Sequence, residues 1–276
     1  DELLSTGSFP EDHIIRIITE VNEPLSRAGY DVTNLERFGL MIRNSENAAY
    51  NYHKQMVSSG NAWSTSDGQQ MLWDAERTPV TMIAYAPYMS EAAPDASLVV
   101  NALTNQTTEE NVKSSDFLLM KATVDPEQDL TADGKLKISL SHAMSKLLIK
   151  ITVNGTTDAA MNKLGDMSIN GAVVNGICDL SATVPIVVPA PDAVVATVAP
   201  YKGTESCECI LPPQKIAEGF SVNFSYDGKL YIWTAKEAIE LEKGVEHTLM
   251  LNVNTTVRLA AKMARNWATG QLIDRN

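Results

Sequence analysis

The sequence predicts an all-β protein built from β-sandwiches. Three observations carry this expectation: turn dipeptides are dense, the short runs between them alternate apolar and polar residues with period two, and long helical patterns are few. Asp67-Gly68, Asp133-Gly134, Asn154-Gly155, Asn170-Gly171, Asn175-Gly176 and Asp227-Gly228 all accept positive φ and read as hairpin turns.

The first predicted strand is His13–Val21. Counting from His13, every second position faces one way, so Ile15, Ile17 and Val21 share an apolar face opposite Arg16 and Glu20. Residues 23–34 contain Pro24 and Gly29 without a long apolar repeat and read as a loop. Strands are then predicted at Phe38–Arg43, Tyr50–Gln55, Gln70–Trp73, Pro79–Tyr85, Leu98–Asn101 and Asp116–Met120. The acidic, proline-containing run Asp125-Pro126-Glu127-Gln128-Asp129 is the expected boundary between an amino-terminal domain, residues 1–128, and a carboxy-terminal domain, residues 129–276.

Beyond it, strands are predicted at Leu136–Ser141, Lys146–Val153, Met167–Ile169, Val194–Val198 and Glu205–Leu211. A hairpin follows: Ser221–Tyr226, the Asp227-Gly228 turn, then Lys229–Thr234 with Leu230 and Ile232 on one face and Tyr231 and Trp233 on the other. The last clear strand is Glu246–Val253. The tail after it supports two readings. As a strand, Val257, Leu259, Ala261 and Met263 line one apolar face; as a helix, Leu259, Met263 and Trp267 recur every four residues.

Composition narrows the function. Among 276 residues, 34 acidic against 22 basic side chains give a net charge of −12, which repels phosphate backbones and argues against nucleic-acid binding. No apolar run approaches the roughly 20 residues of a spanning helix. Asp1, Glu2, Leu3 and Leu4 are not the basic start of a signal peptide, and a trimmed chain would lack one in any case. Cys207 and Cys209 point the same way in a strand; Cys178 could bridge to one of them, or all three could be small buried thiols. Cys-x-Cys without a nearby His is a poor zinc signature, and no metal or cofactor is expected.

No catalytic motif stands out, so the chain is not expected to be an enzyme. The histidines His13, His53, His142 and His247 are scattered, and a structural role is the better reading of His142. Glu109-Glu110 reads as part of a solvated loop. Trp63, Trp73, Trp233 and Trp267 with Tyr85, Tyr88 and Tyr231 could form a sugar-stacking platform, but core packing accounts for them better.

Four segments carry a resemblance. They are Trp73 to Tyr88, ending Met82-Ile83-Ala84-Tyr85-Ala86-Pro87-Tyr88; Ser115-Asp116-Phe117-Leu118; Leu140-Ser141-His142-Ala143-Met144-Ser145-Lys146-Leu147; and Asn266-Trp267-Ala268-Thr269-Gly270. In this order and spacing the chain resembles the fimbrillin and fimbrillin-like proteins of Bacteroidetes, which build type V pili. The resemblance implies two tandem transthyretin-like β-sandwich domains of Greek-key type. It implies export to the cell surface as an outer-membrane lipoprotein, lipidated on a cysteine upstream of Asp1. It further implies assembly with other pilus subunits by strand exchange, and a surface receptor as a possible partner. In that scheme an arginine-specific protease cuts after an early arginine, the first strand leaves, and the tail strand of another subunit fills the groove. Arg27, in a predicted loop between Pro24 and Gly29, is the matching cleavage site. His13, Ile15, Ile17 and Val21 mark the strand that would leave, and Val257, Leu259, Ala261 and Met263 mark the candidate donor. The alternative expectation is a monomeric surface lipoprotein of the same fold that binds glycans or host ligands.

Overall fold

The computed structural model describes residues 8–21, 29–31, 33–60, 62–156 and 161–253, with the backbone alone of residues 259–265. Those residues form twenty-one strands and one short α-helix. In chain order the strands are β1 (Arg16–Val21), β2 (Arg37–Asn44), β3 (Tyr52–Ser59), β4 (Ala62–Thr65), β5 (Val80–Ala86), β6 (Ser97–Asn101) and β7 (Leu118–Val124). There follow β8 (Lys135–His142), β9 (Ser145–Val153), β10 (Leu164–Val173), β11 (Asn175–Asp179), β12 (Val187–Pro189), β13 (Val195–Val198) and β14 (Tyr201–Lys202). The last are β15 (Cys207–Leu211), β16 (Gln214–Ile216), β17 (Ser221–Tyr226), β18 (Lys229–Thr234), β19 (Ile239–Leu241), β20 (Glu246–Val253) and β21 (Leu259–Arg265). Helix α1 is Glu109–Ser114. No helix among the described residues is long and apolar enough to cross a membrane.

A seven-stranded sheet runs in the order β1-β8-β7-β5-β2-β3-β4. A five-stranded sheet runs β14-β15-β9-β20-β21, a four-stranded one β13-β10-β17-β18, a three-stranded one β12-β11-β6, and β16 pairs with β19. Strand β8, beyond the acidic Asp125–Asp129 run, joins the seven-stranded sheet, while β6, before it, joins β11 and β12.

Two apolar cores lie on opposite faces of the large sheet. Phe38, Leu40, Ile42, Met82, Ala84 and Leu118 belong to the first, together with Ile15, Ile17 and Val21. Met41, Ile83, Tyr85 and Leu119, from the same strands, belong to the second, with Ile149, Ile169, Phe224 and Leu249. A sheet covered on both faces needs apolar residues at consecutive positions, and Met82 to Ala86 supplies them.

Gly39 has a close-approach role. It pairs across the sheet with Tyr85, and a Cβ at Gly39 would lie 2.3 Å from the Tyr85 ring. The ring cannot step aside easily: its hydroxyl donates to the Met89 carbonyl at 2.8 Å and lies 2.7 Å from His53 Nε2.

Several expectations change. The Asn170-Gly171 turn is a β-bulge inside β10, where Gly171 has φ of +93°. Asn175-Gly176 lies within β11, because a Cβ at Gly176 would meet the Val100 carbonyl at 2.8 Å and Val187 Cγ1 at 2.9 Å. Gln70–Trp73 is not a strand; Leu72 forms an isolated bridge to Ile14 and finds no ladder. Glu109 and Glu110 open α1, capped by Thr108, whose side chain accepts from the Asn111 N–H at 3.2 Å. The Asp227-Gly228 hairpin forms as expected, with φ of 50° and 75° at the two turn residues. Cys178, Cys207 and Cys209 are buried free thiols, and burial pushes the Cys178 and Cys207 thiols up to about 11 and about 12.

Two outcomes follow from the Gly39 contact. Gly39→Ala should lower the unfolding free energy by about 2 kcal/mol or more in a urea titration, since the new methyl overpacks a fixed ring. Gly228→Ala, with φ of +75° but open space around it, should cost only about 1 kcal/mol. Equal costs would sink the overpacking account. For His53, burial holds the imidazole below its ordinary value of 6.5, so the folded chain takes up the proton less readily than the unfolded one. Its stabilising contribution is present above that value and is lost as pH falls through it. Urea midpoints measured from about pH 7 to about pH 5 should therefore fall less steeply for His53→Gln than for the parent chain.

Candidate functional site

The site begins at β1. Its six residues run parallel to β8, from Arg16 opposite Lys135 to Val21 opposite Leu140. β1 is the end strand of its sheet, so this ladder holds only one of its edges. Ile15, Ile17 and Val21 are buried in the first core, as the alternation predicts. The other face is tied by charge: Arg16 pairs with Asp12 at 2.5 Å, Glu20 pairs with Lys137 at 2.9 Å, and the Ser139 hydroxyl donates to Glu20. Exposed pairs of this kind add little to stability.

The ladder starts later than the sequence predicts. His13 lies outside β1 in the left-handed region, with φ of 60°, because the chain bends there to meet the Met71–Trp73 segment. The Trp73 N–H donates to the His13 carbonyl at 2.8 Å and the Ile15 N–H to the Met71 carbonyl at 2.9 Å. Further along, Trp63 Nε1 donates to Thr19 Oγ1 at 3.0 Å. Between these ties a cleft of about 460 Å³ separates β1 from β4, lined by Ile15, Ile17, Met56, Trp63 and Met71 among others.

Arg27 lies outside the described residues, as does Val257. The tail backbone from Leu259 to Arg265 is a strand, β21, and the helical alternative is not adopted. It pairs antiparallel with β20 of its own chain, placing Leu259 opposite Val253, Ala261 opposite Leu251 and Met263 opposite Leu249. The open edge of β20 supplies a ladder that local helix propensity cannot match.

Two of the short motifs meet in space. Asp116 and His142, from Ser115-Asp116-Phe117-Leu118 and Leu140-Ser141-His142-Ala143, lie 2.8 Å apart between Oδ2 and Nδ1, both buried. Four residues on, the Lys146 ammonium lies 2.7 Å from Glu208 Oε2, its side chain fully buried. Sequence reasoning missed both pairs. Their only signal is a polar residue at an interior-facing position inside a largely apolar run. Among the described residues the aromatic side chains do not assemble into a platform: Trp63 packs edge-on against Phe38, Trp233 against Phe220, and Tyr231 stacks on Phe224, while Trp267 lies outside those residues.

The architecture is that of an all-β protein with two cores on one shared sheet, an end strand at its amino side and a terminal strand on its last sheet. The chain belongs to the Fimbrillin-like family, whose sequence profile matches residues 26–266. Among solved structures it is similar to a candidate cell adhesion protein of Bacteroides uniformis, with a TM-score of 0.69 at 15% identity over 94% of this chain and 100% of that one. A second, from Bacteroides ovatus, gives 0.67 at 16% identity over 97% and 98%. The tip fimbrial protein Mfa3 of Porphyromonas gingivalis, with C-terminal truncation, gives 0.52 at 10% identity over 91% and 98%. At these identities the likeness is one of fold. No curated protein sequence matches the chain.

The buried Lys146–Glu208 pair gives a direct test. Lys146→Met should cost about 3–5 kcal/mol in denaturant unfolding, because Glu208 is left charged and unpaired. Adding Glu208→Leu should restore most of that loss; a double variant as unstable as the single one would rule out the charge explanation.

Proposed function

We propose that this protein is a structural and adhesive subunit of a type V pilus, assembled at the cell surface by protease-triggered strand exchange. Family membership supports the fimbrial role. The observation that carries the mechanism is the placement of β1: an end strand, held by one ladder, that buries Ile15, Ile17 and Val21 in the first core. Its removal would strip one edge of β8 and expose an apolar slot. Each lost aliphatic forfeits roughly 1.5–3 kcal/mol of burial. An incoming strand with alternating apolar residues would restore both the ladder and the burial.

On this reading the processing site is Arg27, and the donor is the tail from Val257 through Leu259, Ala261 and Met263. The partners are other subunits of the pilus, an arginine-specific protease and a surface receptor. The two domains would be transthyretin-like sandwiches divided after residue 128, with β8 crossing that division to complete the seven-stranded sheet and Met41, Ile83, Tyr85 and Leu119 crossing it to pack in the second core. Export as a lipoprotein to the outer membrane, and a role without catalysis, complete the proposal. The pairing of β21 with its own β20 fits a latent subunit before exchange.

The same pairing also fits a second reading, a monomeric surface lipoprotein of this fold that binds glycans. That reading calls for an exposed aromatic cluster. Trp73 and Tyr85 are buried, and Trp63, Trp233 and Tyr231 are spent on packing.

The purified chain, treated with an arginine-specific endoprotease, should be cut after Arg27 and form ladders of oligomers on native gels. Arg27→Ala should remain intact and monomeric. A chain ending at residue 253 should be cut but stay monomeric. If Arg27→Ala is processed and polymerises like the parent, the assigned site is wrong.

A further inference from the structure

Processing would leave a new chain end close to β2. If that end frayed, β2 would follow and the first core would open. The described residues just past the proposed cut are held by a dense set of contacts. The Tyr30 N–H donates to Asp116 Oδ2 at 3.0 Å. His142 Nδ1 lies 2.8 Å from the same oxygen, and Asp116 Oδ1 accepts the Phe117 N–H at 2.9 Å. Two backbone donors and the close imidazole therefore surround one carboxylate that is wholly buried.

Gly29 is fitted to this group. It has φ of +115°, and a Cβ there would come within 3.2 Å of Asp116 Oδ2. Its carbonyl accepts from Asn34 Nδ2 at 2.8 Å. Asn34 is itself held by three more bonds: its N–H donates to Asp31 Oδ1 at 2.9 Å, its Oδ1 accepts the Asp31 N–H at 2.9 Å, and its carbonyl accepts from Lys113 Nζ at 3.0 Å. The Lys113 ammonium also lies 5.3 Å over the Tyr30 ring.

The position of His142 links this cluster to the exchange. It is the last residue of β8, the strand that pairs with β1 up to Leu140, and it sits opposite Leu118 of β7. One strand thus carries both the ladder that would be emptied and the histidine that contacts the carboxylate holding Tyr30.

We propose that Asp116 and His142 form a latch that holds the chain at Gly29 and Tyr30, and that this latch anchors the new chain end left by processing so that it does not fray into β2. The proposal rests on the processing reading above. Asp116 and His142 act as positioning residues: they leave the cut itself untouched and hold the new chain end in place after it.

The test is amide hydrogen exchange at Tyr30 in the full chain, before and after treatment with an arginine-specific endoprotease. In the parent chain Tyr30 should stay protected after the cut, while the β8 amides facing β1 lose protection as the strand leaves. Asp116→Ala should speed Tyr30 exchange about tenfold or more, the effect of losing a charge-assisted hydrogen bond. Asp116→Asn, which keeps one acceptor, should restore part of the protection. Asn34→Ala removes the side-chain ties to the Gly29 carbonyl and the Asp31 N–H and spares the buried pair, so it tests the latch without risk to the core; it should raise Tyr30 exchange by a smaller factor. Tyr30 exchanging like a free peptide after the cut would overturn the latch, as would rates unchanged in both Asp116→Ala and Asn34→Ala. A chain that resists cutting at Arg27 would overturn the processing reading instead, and the uncut comparison of the variants would then decide the latch alone.

Discussion

Everything in this fold depends on one sheet being buried from both sides. β2 and β5 lie side by side at its middle, and alternate residues of each face different cores. Leu40, Ile42, Met82 and Ala84 serve the first core; Met41, Ile83 and Tyr85 serve the second. A slip of one residue would exchange the two sets and ruin both cores at once. The Gly39–Tyr85 pair makes the slip harder still, since the ring fits only over a residue without a Cβ. The centre of the sheet is therefore fixed, and any freedom to rearrange belongs at its edges.

The edges differ in what they hold. At the β4 end the strand continues a run of antiparallel neighbours, β5-β2-β3-β4. At the other end β1 is parallel to β8, a strand that lies 119 residues away at the Glu20–Ser139 contact. Removing β1 leaves β8-β7-β5-β2-β3-β4 continuous. The five-stranded sheet has the same property: without β21 it still runs β14-β15-β9-β20. Both strands proposed to exchange thus end their sheets. Edge strands carry unpaired backbone groups that recruit other strands, and natural proteins usually blunt them. Among the described residues, the chain leading into β1 is tied to Met71 and Trp73, and Thr19 of β1 to Trp63.

The sequence displayed what is local. The Ser221–Thr234 hairpin, the burial of Ile15, Ile17 and Val21, and the long strand through Lys146–Val153 all follow from alternation and turn chemistry over a few residues. It concealed what is long-range. Gly171 and Gly176 resemble turn glycines by their Asn neighbours, yet each serves close approach: Gly171 to the Gly219 backbone, Gly176 to Val100 and Val187. Nothing near them in sequence reports a backbone that far along the chain. The tail stayed ambiguous because Ala, Leu, Lys and Met favour helix locally, and only the free edge of β20 selects the strand. The meeting of Asp116 with His142 was equally hidden, since each motif taken singly gives a polar residue in an apolar run and no hint of its partner.

The chain changes sheets between those buried pairs, which gives them a common physical role. β8 ends at His142 in the seven-stranded sheet and β9 starts at Ser145 in the five-stranded one, with only Ala143 and Met144, both buried, between them. Apolar packing already resists a shift of this crossing by a residue, because Ala and Met differ in volume and a slip turns each strand side chain to the other face. Asp116–His142 on one side and Lys146–Glu208 on the other add to that resistance, since a shift would leave buried polar groups without partners. The two pairs fix the register of the crossing at both ends. Were the edge of β8 emptied and refilled as proposed, the second core would keep its alignment.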